Sequence, residues 1–408
     1  MNKDMRNKVN LIIWIQIFLF FSLNANAQKK EMAQARIDIK SGKNLDRVEQ
    51  SMKQLLKDST NRINEKIWLL LFEAQRKIYE QGNEKLYLKQ KYDTAKLFNS
   101  CLNLFTTLEG LDSLDARPDK KGEIKLKYRL KHSELLNTYR PNLYNGGIYF
   151  LNKQNYQTAY HFLDTYINCA EQPLFSSYNY LEKDTLLPVA AYWAVYCGYK
   201  MADTKATLHH TYLALKDTAH YAMMLQYLAE TYKLENDTSR YVQTLEEGFF
   251  KYPKFPFFFP RLIEHYSASR EYTKALDICK QALKADSTNV IFRFATSTVL
   301  LNMRRYTECI NLCEELLKQD NSMVDAYLNL GLAYFNQGIE IEKKTQDQVK
   351  KKKMILQSYR AALPYLEKYK KFEPTQREKW GLPLYTIYLN LNMGKEFDEI
   401  DYILKQKR

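Results

Sequence analysis

Three groups of residues in this chain have types and spacings that could do chemistry. His209 and His210 offer two imidazole nitrogens, and Asp112 and Asp115 offer two carboxylates, the donors that Zn²⁺ and Ca²⁺ use in proteins. The histidines lie in a helix expected over 205–215, where neighbouring side chains point in different directions, so we expect them not to chelate one ion together. The aspartates have no further ligands at the spacing of a calcium cage. The sequence therefore predicts no metal site.

The third group is the glycine pair in Asn145-Gly146-Gly147, which could be mistaken for a phosphate-binding loop. Such a loop needs further glycines, a lysine and a preceding strand, and the sequence offers none of these here. The motifs H-E-x-x-H, G-x-S-x-G and S-x-x-K, a Walker loop and paired-cysteine zinc spacing do not occur. We therefore expect no catalytic residues and no cofactor, and interpret the chain as a non-enzymatic protein.

The elements that would position any functional side chain are helices. The chain has only 12 glycines and 10 prolines in 408 residues, which argues against folds rich in strands or loops. Its 32 tyrosines suit the seams between packed helices, where broad aromatic rings fill space. Composition thus favours an all-α fold.

One pattern recurs along the second half of the chain at an interval of 34 residues. Self-similarity at this period indicates a stacked array of helix–turn–helix units. Neither helix of a unit can bury its apolar stripe alone, so neighbouring hairpins stack and bury it between them. The positions that keep this interval are Tyr232, Tyr266, Leu300 and Tyr334; Leu228, Leu262, Thr296 and Leu330; Tyr241, Ala275 and Cys309.

This pattern resembles the tetratricopeptide repeat (TPR), clearly over 222–374 and in degenerate form elsewhere. The family places a small residue at repeat position eight, an aromatic at eleven, alanine at twenty, an apolar residue at twenty-four and proline at thirty-two. Gly147, Ala159 and Leu163 also fall in this register, so we interpret Gly147 as a helix crossing. The resemblance implies an α-solenoid of stacked antiparallel helix hairpins, a right-handed superhelix. The last complete unit matches through Tyr327, Leu330, Gly331, Tyr334, Ala362, Leu366 and Pro374, with Trp380 opening the next.

The resemblance also implies where a partner would bind. In TPR proteins, groove residues come from repeat positions two, five, nine, twelve and thirteen of the first helices. The lysine–asparagine clamp that binds chaperone carboxylates is absent at these positions, and the mixed polar and apolar lining suits a peptide or protein segment. The predicted groove residues are Gln226, Glu230, Lys233, Glu264, Thr298, Asn302, Leu332, Phe335 and Asn336.

The last complete unit is enlarged. Cys309 and Ala362 are 53 residues apart, the usual 34 plus 19, and the extra residues contain few helix breakers. We therefore expect both helices of the unit to lengthen into an arm. The arm carries a run of lysines that forms either a solvated face or a docking site for an anionic surface: Lys350, Lys351, Lys352 and Lys353.

Residues 1–27 have the pattern of a secretory signal. A basic start is followed by an apolar run from Leu11 to Leu23 and an A-x-A cleavage site ending at Ala27. Cleavage would leave a mature chain that begins at Gln28 and has no transmembrane span. An uncleaved membrane anchor is the alternative. Three of the six cysteines fall on buried repeat positions, and we expect no essential disulfide.

These features predict three regions and a function. The regions are a signal peptide at 1–27, a degenerate TPR-like helical region at 28–172 and a TPR array at 188–408, with 173–187 as a linker. The chain carries a formal charge of +14, and removal of the signal, whose three basic residues and one aspartate sum to +2, leaves +12. In an envelope compartment this charge either only solvates the surface or favours an acidic or membrane-associated partner, such as an acidic protein, anionic lipid or phosphorylated glycan, over nucleic acid. We expect an exported scaffold in the periplasm or cell envelope of a Gram-negative bacterium, serving envelope assembly or secretion. The alternative is a glycan-binding module that uses exposed tyrosines and basic residues.

Overall fold

A computed structural model describes residues 28–344 and 347–405, which form twenty-one α-helices and no strand. The chain divides into two compact units between Tyr227 and Leu228, within helix α12 (Tyr221–Leu234). The first unit contains α1 (28–41), α2 (Leu45–Leu55), α3 (Glu65–Tyr87), α4 (Thr94–Asp115), α5 (Arg129–Tyr139), α6 (Pro141–Asn152), α7 (Tyr156–Asn168), α8 (Tyr180–Lys183), α9 (Leu187–Lys200), α10 (Thr204–His209) and α11 (Thr211–Ala214). The second contains α13 (Thr238–Lys251), α14 (Phe258–Ala268), α15 (Tyr272–Ala285), α16 (Val290–Asn302), α17 (Tyr306–Gln319), α18 (Val324–Lys344), α19 (Gln348–Phe372), α20 (Arg377–Asn390) and α21 (Gly394–Lys405).

The hairpin of α6 and α7 shows how the repeat packs in the first unit. A three-residue connection at 153–155 turns the chain back, so the two helices run antiparallel. Gly147 on α6 lies directly against Leu163 on α7, where a Cβ on the glycine would lie 2.7 Å from Leu163 Cγ. Ala159 and Leu163 are completely buried. The interpretation of Gly147 as a helix crossing is therefore confirmed.

The segment 173–187 takes part in the core of the first unit. It forms a 3₁₀ helix at Pro173–Phe175 and the short α8, and Leu174, Phe175 and Leu187 are buried there. The expected division of the chain into 28–172 and 188–408 stays a prediction.

A buried ion pair holds the end of this segment to the start of α6. Arg140 Nη1 donates to Asp184 Oδ2 at 2.6 Å, and the Tyr166 hydroxyl donates to the same carboxylate at 2.7 Å. The guanidinium lies between the rings of Tyr166 and Tyr180, 3.8 Å from each centroid. Since a buried charge is costly unless it is paired, Asp184 is the residue that lets Arg140 lie inside the unit.

In the turns between paired helices, a residue with left-handed backbone conformation recurs every 34 residues from Ala202 to Arg304. The second residue after each of α12, α14 and α16 has a left-handed conformation, and the next amide closes the helix end on the carbonyl of repeat position eleven. This bond is 2.9 Å for Asp237 N to Tyr232 O, 2.8 Å for Glu271 N to Tyr266 O and 2.9 Å for Arg305 N to Leu300 O. Among the left-handed residues, those that follow one another at 34-residue steps are Ala202 in the first unit and Asn236, Arg270 and Arg304 in the second.

The enlarged unit has two long helices, as expected. α18 has 21 residues and α19 has 25, compared with 14 in α15 and 14 in α17. A Cβ on Gly331 would lie 2.6 Å from Leu366 Cγ, which repeats the contact of Gly147 with Leu163. The residues of the first pair are 35 apart and those of the second 16, so the 19-residue excess lies within the hairpin. None of the described helices, these two included, is both long and apolar enough to cross a membrane.

The six cysteines are all free and buried. Burial raises the pKa of the Cys279 thiol to about 11 and that of Cys197 to about 12, so both are protonated at neutral pH. They pack as small apolar residues. The expected fold, an all-α solenoid of stacked antiparallel helix hairpins, is confirmed.

Candidate functional site

The predicted groove residues differ in how far solvent reaches them. Lys233, Glu264 and Asn302 are exposed, and Glu230, Thr298, Leu332 and Asn336 are half-buried, all in the second unit. Gln226 is half-buried and belongs to the first unit.

Phe335 is a correction to the predicted groove. It is only 7% exposed, and its ring stacks on Tyr359 of α19 with centroids 5.5 Å apart. The repeat pattern would leave this position open, but the lengthened α18 and α19 pack along each other, and a Cβ on nearby Gly338 would lie 2.7 Å from the Tyr359 ring. Phe335 is therefore a core residue of the enlarged unit.

Thr298 is partly used within the fold. The buried Asn329 on α18 donates to Ser297 Oγ at 3.1 Å and to Thr298 Oγ1 at 2.9 Å, both on α16. An ion pair at 2.9 Å between Arg304 Nη1, in the turn after α16, and Glu340 Oε1 of α18 adds a further link. These contacts hold α16 beside α18.

The basic arm carries an open concave surface. Asp347 caps α19, because its carboxylate accepts from the amides of Val349 at 3.0 Å and Lys350 at 3.1 Å. Lys350, Lys352 and Lys353 are exposed, and Lys351 is half-buried. An open cavity of about 820 Å³ lies beside them, lined by Glu342, Gln348, Val349, Lys351, Lys352, Lys353, Ile355, Leu356 and Asn390.

The chemistry of this cavity is that of binding. Three lysines and one carboxylate, that of Glu342, line the cavity, so the lining carries an excess of positive charge. Val349, Ile355 and Leu356 add an apolar surface. A ligand with both negative groups and apolar side chains would satisfy both parts, since ammonium groups pair with carboxylates and the apolar walls gain by leaving water.

The two adjacent histidines of the sequence analysis lie together, and the expectation that their rings point in different directions is wrong. The expected helix over 205–215 is broken: α10 ends at His209 and α11 begins at Thr211. His210 lies between them with φ −108° and ψ 16°. With Asp164 of α7, the two rings bring three potential ligand atoms within 4.8 Å of one another. A sequence signal for this break is weak, since no glycine or proline marks it.

The comparisons with known proteins find distant likenesses to solved structures. No protein-family model and no curated protein sequence matches the chain. Similar solved structures include MamA AMB-1, with 16% identity and a TM-score of 0.34 over 47% of this chain and 94% of MamA. The C-terminal part of a TPR repeat-containing protein from Cytophaga hutchinsonii has 11% identity and a TM-score of 0.42, covering 63% of this chain and 92% of its own. The P58(IPK) TPR domain has 12% identity and a TM-score of 0.26, covering 93% and 99%. Similarities this distant show nothing about the activity of this chain.

Proposed function

We propose that this chain is a non-enzymatic, exported scaffold of the bacterial cell envelope, which binds a protein segment bearing acidic and apolar side chains. The observation that carries the proposal is the open cavity of about 820 Å³ on the basic arm, where lysines and apolar side chains line one concavity. The proposed role is assembly of the envelope or secretion through it.

The shape of the site favours a peptide segment over a flat anionic surface. A membrane or a flat polymer face would contact the exposed Lys350 and Lys353 but would leave the apolar walls of the cavity, Ile355 and Leu356, in water. A peptide side chain can enter the concavity, so apolar burial and charge pairing act together. The mixed lining thus selects for acidic segments that also carry apolar residues.

The exposed groove positions supply a second contact region in the same unit. Glu264 and Asn302 lie on α14 and α16, which contact each other as consecutive first helices. Their polar side chains offer hydrogen bonds along an extended partner. This face would add specificity, because it offers hydrogen-bonding groups but few apolar anchors.

Export rests on the sequence alone, because the signal pattern at 1–27 lies outside the described residues. The expected mature chain begins at Gln28. Mass spectrometry of the protein from its native cell should find this N-terminus in the envelope fraction. An intact N-terminus in the cytosol would contradict export and leave the binding proposal standing.

The binding proposal is tested with a defined probe. Fluorescein-labelled peptides that alternate glutamate with leucine are titrated with the purified chain, and anisotropy is followed at about 0.05 M and about 0.5 M salt, across which screening lengths shorten several-fold. A variant with four lysines changed to glutamine should lose most of the low-salt affinity and keep its melting temperature: Lys350→Gln, Lys351→Gln, Lys352→Gln and Lys353→Gln.

The matched control removes four exposed lysines of the first unit, so that the net charge changes equally. It should bind the peptide as the native chain does, because none of these four lysines lines the cavity. Equal losses in both variants would show a general charge effect, and no loss in either would refute the site. The control changes are Lys120→Gln, Lys121→Gln, Lys125→Gln and Lys131→Gln.

A glycan-binding role is the second candidate, and strongly exposed tyrosines favour it. Tyr87, Tyr212 and Tyr402 project into solvent from α3, α11 and α21. Lys216 Nζ lies 4.5 Å from the centre of the Tyr212 ring, so one face of that ring is covered. Saturable binding on a glycan array that is lost on Tyr87→Ala or Tyr402→Ala, without peptide binding, would favour this role instead.

A further inference from the structure

The cluster of Asp164, His209 and His210 has the geometry of an incomplete coordination shell. His210 Nε2 lies 2.7 Å from Asp164 Oδ1, and His209 Nε2 lies 3.7 Å from the same oxygen. The centroids of the two rings are 4.3 Å apart, with their planes at 60°. The three elements that supply these atoms are α7, the last residue of α10 and the break before α11.

The break between α10 and α11 is what allows adjacent residues to converge. On a continuous helix, neighbouring side chains diverge and cannot reach one ion. Here His209 ends one helix and His210 leaves helical geometry, so both rings turn toward α7. His210 is buried, whereas the side chain of His209 is 57% exposed.

A simple buried histidine–aspartate pair accounts for only part of this arrangement. The 2.7 Å contact satisfies His210 and one carboxylate oxygen. His209 is too far from that oxygen, at 3.7 Å, to make a hydrogen bond with it. Two imidazoles and a carboxylate at about 2.0–2.2 Å from a tetrahedral Zn²⁺ would lie about 3.3 Å from one another. The observed separations lie on either side of that value.

A buried carboxyl group, that of Glu109 on α4, lies near Asp164. Its Oε1 has no hydrogen-bond partner among the described residues. The exposed His209 gives an ion a route in from solvent.

We propose that Asp164, His209 and His210 bind one divalent transition-metal ion of the Zn²⁺ class, with a fourth position open to solvent beside His209. Neutral imidazole and carboxylate are ligands that suit Zn²⁺, and three protein ligands with one open position are typical of sites that hold a water or a further ligand. The ion ties the junction of α10 and α11 to α7. Metal binding therefore stabilises the first unit.

The test is made on the untagged full chain, freed of metal by a chelator and then dialysed. Isothermal titration with ZnCl₂ should show saturable binding of one ion per chain and a higher melting temperature for the loaded protein. Titration with Co²⁺ should give visible absorption bands of a nitrogen–oxygen shell. An absence of saturable uptake of either ion overturns the proposal.

Two variants and a control assign the ligands. His209→Ala keeps the buried contact of His210 with Asp164, so its metal-free fold and melting temperature should match the native chain, while Zn²⁺ affinity falls about tenfold or more. Asp164→Asn should also weaken binding. His265→Ala, in the second unit, removes a histidine elsewhere and should bind as the native chain does. Native affinity in either cluster variant overturns the three-ligand site.

Discussion

Glu109 gives the first unit a stability that depends on pH, and this can be measured through Glu109→Gln. The side chain is half-buried on α4, and its Oε1 has no hydrogen-bond partner among the described residues. Burial, with a smaller contribution from the negative Asp164 on α7, raises the pKa of Glu109 from 4.5 to about 7. Ionising this carboxyl in the folded chain is therefore unfavourable.

The sign and size of the effect follow from linkage. The folded state holds the proton of Glu109 more tightly than the unfolded state does. The contribution of this proton to the free energy of unfolding is therefore fully present below about pH 4.5 and is lost as pH rises to about 7. At 1.36 kcal/mol per pKa unit the whole rise corresponds to about 3 kcal/mol, and solvent screening of a half-buried group lowers this to about 2 kcal/mol. Glutamine has the same shape and does not ionise. Glu109→Gln should thus stabilise the chain at pH 8 and leave it unchanged at pH 4.5.

Urea unfolding of metal-free protein at several pH values measures this difference directly. The native chain and Glu109→Gln should have similar free energies of unfolding in acid and should diverge by about 2 kcal/mol above pH 7. Glu134→Gln, which removes an exposed glutamate of the same unit, should show no such divergence. A constant gap between native and variant across the pH range would refute the reasoning, because the effect would then not come from ionisation.

Three further expectations concern packing and backbone. Gly331→Ala should lower the melting temperature, because its Cβ would lie 2.6 Å from Leu366 Cγ. Gly394→Ala is the control: nothing lies within 4 Å of its Cβ, so it should be neutral or stabilising. Equal shifts in the two variants would contradict a close helix crossing at Gly331. Arg270→Gly should raise the free energy of unfolding, measured by urea titration, by about 1 kcal/mol, since a left-handed φ of 58° strains any residue with a Cβ. A lower free energy of unfolding in the variant would show that this turn is unstrained. Asp184→Ala should cost roughly 3–5 kcal/mol in the same assay, because it leaves the guanidinium of Arg140 buried without its partner; a cost below about 1 kcal/mol would show that the pair is dispensable.

The features of the fold that depend on the spacing of residues along a helix could be predicted from the sequence. Small residues at crossings, such as Gly147 and Gly331, and the buried Ala159 and Leu163 keep a spacing that a helix converts into one face. The 19-residue excess was placed in the correct hairpin because the spacing from Cys309 to Ala362 exceeds the 34-residue interval. The contact of Gly331 with Leu366 in the structure confirms this placement. These features depend on the period of the helix, which is a property of neighbouring residues.

The candidate sites were predicted less completely. The lysines of the arm were found by their charge, but the cavity that includes Ile355 and Leu356 appears only when α18, α19 and α20 pack. Phe335 was placed on the surface by its repeat position and is covered by Tyr359, which a pattern drawn from shorter repeats does not foresee. Burial is decided by what a neighbouring helix brings, and that neighbour can be far away in sequence.

By itself the sequence determined the all-α class, the 34-residue repeat and the length of the arm, because helical periodicity is written into side-chain spacing. Only the tertiary structure decided the turns and the cluster of Asp164, His209 and His210. Ala202, Asn236 and Arg270 share a left-handed conformation although their side chains have little in common. His209 and His210 meet Asp164 because the helix breaks between them. In both cases the packing of whole helices sets the backbone, and its stabilisation exceeds the preference of any single residue.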